Sequence, residues 1–337
     1  MKKLLAFLMA ATLLLSICIV ANAGDGGPYK VGYSALSLAN SFFVQQQEEF
    51  IAAAEEYKEA GLIGEYVTTN ANGDTAKQIS DIEDLITQGC DIIILDASSP
   101  TALVPVVEEA YEEGIKISSV VNTVDTDLQT VRVFSDEFEF GRIGAQFIAD
   151  SLNGKGKIVV LNAVAGLYVN EQRRAGAESV FSQYPDIEII AEANGDCDYA
   201  KGKSVMESFV SAYDEIDGVW SQGGAMTQAA VDVFNSVGRE LIPMSGEGGN
   251  GFLRVWKENS DKGFTSVAPC ISSAAPRYAL EACLKELAGE TIEREIVMPT
   301  EYITEETIDE YYKPELSDNY WCGNMLSDEI LTELYAN

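Results

Sequence analysis

The sequence predicts an α/β protein of two doubly wound, parallel-sheet lobes. Three observations predict it. From Tyr29 onward, short apolar strands alternate with helices of amphipathic period, and little else lies between them. The strands are too many for one sheet, and 337 residues suit two cores of roughly 150 residues each. The pattern restarts near Ser135-Asp136 with no Pro/Gly/Ser-rich linker, which fits short hinge strands better than a flexible tether.

Each element has a local reason. Residues 29–33 form a short apolar strand. Residues 42–60 follow helical period, with Ser41 as N-cap and Gly61 as the stop. A strand over 65–69 precedes a helix over 75–89, which sets Ile79, Ile82, Leu85 and Ile86 on one face. Residues 91–95 are an apolar strand of the kind covered on both sheet faces. A helix over 101–113 stops at Gly114, and 116–121 is the next strand. After the break come a helix over 138–152, a strand over 157–162 and a helix over 170–184. Strands then fall at 187–191, 218–221, 241–244 and 264–268, with helices between; the aromatic, acidic tail carries one more helix at 305–311. Such alternation implies right-handed crossovers between parallel strands.

Composition removes several function classes. Lys plus Arg is 22 against 54 Asp plus Glu, a net charge of -32. Nucleic acid and anionic lipid both need a basic footprint, so neither is expected as a partner. Histidine is absent. No Ser-His-Asp triad, Cys-His dyad or His-ligated zinc site can form, and the commonest general base at neutral pH is missing. No cofactor or metal is expected. An enzyme is not excluded, but its commonest routes are.

The first 23 residues read as an export signal. Lys2 and Lys3 are the basic start, residues 4–20 the apolar run, and Ala21-Asn22-Ala23 the small-x-small cleavage site. The run is at the short limit for a membrane span. Leu15-Ser16-Ile17-Cys18 resembles a lipoprotein box, although Ile17 is bulky before the cysteine, so a lipid anchor at Cys18 is the second processing route. The mature chain would be periplasmic or extracellular. It keeps Cys90, Cys197, Cys270, Cys283 and Cys322, an odd number without C-x-x-C spacing, which reads as unpaired thiols.

In open parallel sheets, ligands sit beyond the carboxyl ends of the strands. That rule selects Asn40, Phe42 and Phe43 after the first strand, Asp96 after the third and Asn122 after the fourth. In the second half it selects residues 166–174 with Arg173 and Arg174, then Asp196-Cys197-Asp198, Gln222-Gly223-Gly224 and residues 247–250 with Glu247. Amides, carboxylates, a forked guanidinium and aromatic rings suit a carbohydrate or polyol, whose hydroxyls need donors and acceptors and whose C–H faces need a ring. Bland alternatives stand beside these. Phe42 and Phe43 could be core, Asp96 could cap a turn over Ser98-Ser99-Pro100, and one of the two arginines should be solvated. Trp220 reads as core. Gly246-Glu-Gly-Gly-Asn-Gly251 fits G-x-G-x-x-G, but it lies late in the chain and no acidic residue ends the next strand, so dinucleotide binding is set aside.

Several stretches, in order, resemble a known family. They are Asn40-Ser-Phe-Phe43, Asp81-Ile-Glu-Asp-Leu-Ile-Thr-Gln-Gly-Cys-Asp-Ile-Ile-Ile94, Ser135-Asp136, Arg173-Arg-Ala-Gly176, Gly195-Asp-Cys-Asp-Tyr-Ala-Lys-Gly202, Gly218-Val-Trp-Ser-Gln-Gly-Gly224 and Ile303-Thr-Glu-Glu-Thr-Ile-Asp-Glu-Tyr-Tyr312. Together they resemble the periplasmic sugar-binding proteins of ABC importers, in the ribose- and galactofuranose-binding branch. The resemblance implies two lobes joined by three hinge strands with the ligand cleft between them. The lobes would be residues 24–135 plus 270–297, and 136–269 plus 298–337. It implies that Phe42 and Phe43 sandwich a sugar, with Asn40 beside them. Arg173 and Glu247 would bind hydroxyls from the second lobe, and Asp96 would take a position that is Asn in ribose-binding members. It also implies a monomer that delivers its ligand to a membrane permease. Departures from the family pattern are Val121-Asn122 for an Asp-Arg pair, Cys197 for an aromatic residue, Gly223 beside Gln222 for an Asn, and Pro269 for a Gln. They imply a site with fewer charged contacts and more room than the ribose site, open to a larger sugar, a polyol or an uncommon pentose as much as to ribose. Two rivals remain at this stage. One is a sensory protein of the same fold that presents its ligand to a membrane receptor. The other is a hydrolase using Asp96 and Glu247 as paired carboxyls.

Overall fold

A computed structural model describes residues 27–337; the export signal expected over the first 23 residues and the lipid anchor considered at Cys18 lie outside the described residues. The first sheet contains β1 (Tyr29–Ala35), β2 (Ile63–Asn70), β3 (Ile92–Leu95), β4 (Lys116–Val120), β5 (Val131–Ser135) and β11 (Glu295–Met298), in the order β11-β5-β4-β3-β1-β2. All its pairings are parallel. The second sheet contains β6 (Lys155–Asn162), β7 (Asp186–Asn194), β8 (Gly218–Ser221), β9 (Met244–Ser245), β10 (Ser266–Cys270) and β12 (Glu301–Ile303), in the order β12-β10-β9-β8-β6-β7.

The chain crosses between the sheets three times: after Ser135, after Cys270, and between Met298 and Glu301. The first and third crossings are tied together, since Asp136 N–H donates to Met298 O at 3.3 Å and Thr300 Oγ1 to Asp136 O at 2.9 Å. The expectation of wholly parallel sheets is corrected at one edge, where β12 runs antiparallel to β10. The cause is the third crossing. It leaves the carboxyl end of β11 and enters the second sheet directly at its carboxyl end, with no crossover helix to reverse its direction.

Helices flank both sheets: α1 (Ser41–Glu59), α2 (Thr75–Thr87), α3 (Val104–Glu112), α4 (Glu137–Ser151), α5 (Tyr168–Phe181), α6 (Tyr199–Ala212), α7 (Gly224–Val237), α8 (Asn250–Ser260) and α9 (Ala275–Leu287). Two short helices, α10 (Ile308–Tyr311) and α11 (Asp328–Tyr335), lie in the tail. The cap of α1 is Asn40 and not Ser41: Asn40 Oδ1 accepts from Phe42 N–H at 2.8 Å. The strand expected at 241–244 shrinks to β9. Pro243 has no N–H to give a ladder, and its carbonyl accepts from Val219 N–H at 3.0 Å. The helix expected at 305–311 begins only at Ile308, because residues 304–307 form a Thr304/Thr307 turn. The terminal helix α11, capped by Ser327, was not anticipated. Trp220 is buried in the second lobe, as its apolar strand suggested.

Candidate functional site

The selected residues gather in three clusters on the facing ends of the two sheets. The first is the start of α1. Asn40 caps the helix with its oxygen and spends its amide Nδ2 across the cleft, on Cys197 O at 3.1 Å. Phe42 is buried and meets Phe43 edge-on, ring centroids 6.0 Å apart; Phe43 stays half-buried. Trp321, from the tail, closes on the other side of Phe42 at 5.6 Å.

The second cluster is Asp96 and Asn122. Asp96 Oδ1 accepts from the Asn122 backbone N–H at 3.2 Å and from Nδ2 at 2.9 Å, while Oδ2 has no partner. Asp96 caps no turn, because Gln78 Oε1 takes the Ser98 N–H instead. Burial pushes the Asp96 carboxyl up to about 7, against the Asn122 hydrogen bonds that favour its charged form. Val121, just before Asn122, holds φ +57°, a left-handed conformation rare for a β-branched residue. That backbone turn aims Asn122 at the second lobe, where its Oδ1 faces Val169 N–H at 3.5 Å.

The third cluster centres on Arg173, which is buried. Its Nε donates to Glu137 Oε2 at 2.6 Å, and Nη1 pairs with Glu247 Oε1 at 3.0 Å and with the Gln222 carbonyl. Its guanidinium lies 3.6 Å over the Phe140 ring. Burial alone would disfavour the charge, but the Glu137 and Glu247 carboxylates outweigh it and raise the Arg173 pKa. Two glycines allow this position. A Cβ on Gly141 of α4 would lie 1.9 Å from the Arg173 carbonyl oxygen, and one on Gly176 of α5 would lie 2.0 Å from the Phe138 carbonyl oxygen. Only glycine lets the two helices cross so closely. Arg174, by contrast, points outward to Glu178 and Glu192.

Glu247 has both oxygens engaged, Oε1 by Arg173 at 3.0 Å and Oε2 by Gly224 N–H at 3.2 Å. The G-x-G-x-x-G stretch serves packing. A Cβ on Gly246 would strike the Phe252 ring at 2.1 Å, and one on Gly248 would strike Cys270 Sγ at 2.1 Å. The space expected at Gly223 is bounded by Cys197, whose Sγ would lie 3.3 Å from a Cβ there. The five cysteines among the described residues are free thiols.

Two participants, Glu137 and Gln46, escaped sequence reasoning, while Asn170 and Gln222 lie in the selected loops. Glu137 follows the first crossing and is buried, with Oε1 unpartnered; burial raises its pKa while Arg173 opposes the rise. Asn170 Oδ1 and Gln222 Oε1 are buried without partners. Gln46, one turn after Phe42, faces Asp96 and Tyr33 with both amide atoms unpartnered. Glu137 could have been found by its place in the first turn after the crossing, and Gln46 by its helical spacing from Phe42. The tail carried no such signal. Trp321 exchanges hydrogen bonds with Gln45 through its backbone N–H and C=O, at 3.1 and 3.0 Å, and its Nε1 donates to Ser41 Oγ at 2.8 Å. On the other lobe, Cys322 N–H donates to Gly248 O at 2.9 Å, and Asn250 Nδ2 holds the carbonyls of Lys313, Leu316 and Ser317. The tail is a strap across both lobes.

With this geometry in view, the comparisons with known proteins are consistent. The ribose import binding protein RbsB of Bacillus subtilis is 26% identical over 314 residues, covering 90% of this chain and 100% of that protein. A xylitol-binding protein of Mycolicibacterium smegmatis is 28% identical over 289 residues, covering 85% and 80%. The binding component of the arabinose ABC transporter of Shewanella sp. ANA-3, solved with α- and β-L-arabinofuranose, superposes with a TM-score of 0.77 at 26% identity, covering 84% of this chain and 94% of that one. Residues 31–286 match the model of the periplasmic binding protein domain, and the chain belongs to that family.

Proposed function

We propose that this protein is an extracytoplasmic solute-binding protein that captures a carbohydrate, a monosaccharide or polyol, and hands it to the permease of an ABC importer. One observation carries the reading. Buried oxygens without partners come from both lobes, Asp96 Oδ2 from the first and Glu137 Oε1, Asn170 Oδ1 and Gln222 Oε1 from the second. A buried polar atom normally has a partner, and a polyhydroxylated ligand supplies several at once. Phe42 and Phe43 offer ring faces and edges for its C–H groups. The ligands for which the relatives above are named or with which they were solved, ribose, xylitol and arabinofuranose, are of this class.

The mechanism needs no bond chemistry. Ligand settles on one lobe, and hinge rotation through the three crossings brings the other lobe onto it. Asn40, Asp96 and Asn122 act from the first lobe; Arg173 orders Glu137, Glu247 and the Gln222 backbone on the second. The export signal ends at Ala23, the protein works outside the cytoplasm as a monomer, and the closed form is what the permease reads. A thermal-shift panel of pentoses, hexoses and polyols tests the reading. Ligand at about 100 times its Kd stabilises by about 2.7 kcal/mol, and silence across the panel would reject carbohydrate as the ligand.

A further inference from the structure

We propose that the ligand carries a protonated amine, as an amino sugar, amino polyol or amino cyclitol does, and that Asp96 and Glu137 receive it. The inference rests on the carbohydrate reading of the cleft and narrows it. On the strand-end and helix-start residues around the cleft, the unpartnered buried atoms lean toward acceptors. Asp96 Oδ2, Glu137 Oε1, Asn170 Oδ1 and Gln222 Oε1 all accept and Gln46 adds one donor and one acceptor, while the unpartnered hydroxyls of Thr69, Thr130 and Tyr335 stand outside this group. The amide orientations are set by other contacts: Gln222 Nε2 donates to Asn162 Oδ1 at 3.0 Å and Asn170 Nδ2 to Glu171 Oε1 at 3.1 Å, which leaves their oxygens as the free ends.

Charge points the same way. Three buried carboxyls, Asp96, Glu137 and Glu247, surround the cleft, and Arg173 is the buried cation among them. Its Nε and Nη1 are committed to Glu137, Glu247 and the Gln222 carbonyl. Among the described residues no cation touches Asp96; its neighbours are Asn122, Gln46, the Tyr33 hydroxyl and, across the cleft, Glu137 backed by Arg173 and Glu247. A buried carboxyl without a cation is costly in its charged form, and the raised values at Asp96 and Glu137 express that cost. A neutral hydroxyl gives each acceptor one hydrogen but leaves the charge uncompensated. An ammonium group has three donors and a positive charge, so it satisfies both deficits.

Isothermal titration of the purified protein decides the matter. The probes are D-glucosamine, D-galactosamine and 1-amino-1-deoxy-D-sorbitol, each beside its neutral parent and its N-acetyl derivative. A charge-assisted contact predicts that at least one amine binds about 10-fold or more tighter than its parent, and that acetylation removes the gain. Asp96→Asn should bring the ratio of amine to parent affinity close to one, whatever its effect on the two affinities themselves; if that variant does not fold, Glu137→Gln serves in its place. Neutral parents that bind as tightly as every amine would overturn the amine inference and leave the carbohydrate reading intact. Silence of amines and neutral compounds alike would overturn both. An amine preference that survives both substitutions would also overturn the assignment to these two carboxyls.

Discussion

Arg173 is where the polar contacts of the second lobe converge. Its charge is matched by Glu137 and Glu247, which are themselves buried. Removing it leaves two carboxylates in a low-dielectric site, a change that typically costs about 3–5 kcal/mol. Arg173→Ala should therefore lower stability by that order in urea unfolding, and ligand affinity should fall with it. A loss under 1 kcal/mol would mean that the cluster behaves as a solvated surface pair. Asp96 gives a pH prediction of opposite origin. Its carboxyl is raised to about 7 in the fold, so the native chain holds a proton that the unfolded chain releases near the ordinary aspartate value. Native binding of the extra proton makes stability fall as pH rises through that window, and the loss is complete above about 7. Between pH 5 and 8 the ligand-free protein should lose about 2–3 kcal/mol that the Asp96→Asn variant does not lose. Equal pH dependence of the two proteins would refute the assignment. Asp96 and Arg173 were both visible in the sequence as strand-end polar residues. Their environments were not, because a pKa or an ion pair depends on neighbours distant in the chain.

At the scale of elements, the crossing of α4 and α5 positions the site. Gly141 and Gly176 bring each helix against the other's backbone carbonyl, and the same contact carries Arg173 onto Glu137 of the first turn of α4. A methyl on Gly141 would sit 1.9 Å from that carbonyl, so the helices must separate. Gly141→Ala should destabilise by about 3 kcal/mol or more and weaken ligand binding, even though residue 141 touches no ligand in the proposed mode. Unchanged melting and affinity would show that the crossing is tolerant and that Arg173 is placed otherwise. Helix and strand existence was legible here, since period and strand length are local. The close crossing was not legible, since a glycine in a helix looks the same whether it packs or frays.

At the scale of the whole molecule, the lobes are joined by more than their three crossings. Asn40 reaches Cys197, Asn122 reaches Val169, and the strap from Lys313 to Met325 engages both lobes. Trp321 is its anchor, buried against Phe42 and hydrogen-bonded to Gln45 and Ser41. Trp321→Ala should cost about 3–5 kcal/mol in urea unfolding and loosen ligand binding through Phe42. Trp321→Phe, which keeps a ring but loses the bond to Ser41, should recover most of that loss. Equal behaviour of the two variants would deny the ring its packing role. The strap was read from the sequence only as an acidic, aromatic tail with one helix, because its partners, Gln45, Glu49 and Asn250, lie far away in the chain and contact it only after the lobes form.

By itself the sequence determined the α/β class, the restart of the pattern near Ser135, and the strand-end loops and following helix starts that hold Asn40, Phe42, Phe43, Asp96, Asn122, Arg173, Gln222 and Glu247. Alternating period, caps and stops act over a few residues, so they can be read along the chain. The tertiary structure alone decided that Glu137 shares Arg173 with Glu247, that β12 reverses, that the tail straps the lobes, and which buried oxygens are left without a partner. These outcomes depend on desolvation and on contacts between residues far apart in sequence, and such terms exist only once the two sheets face each other.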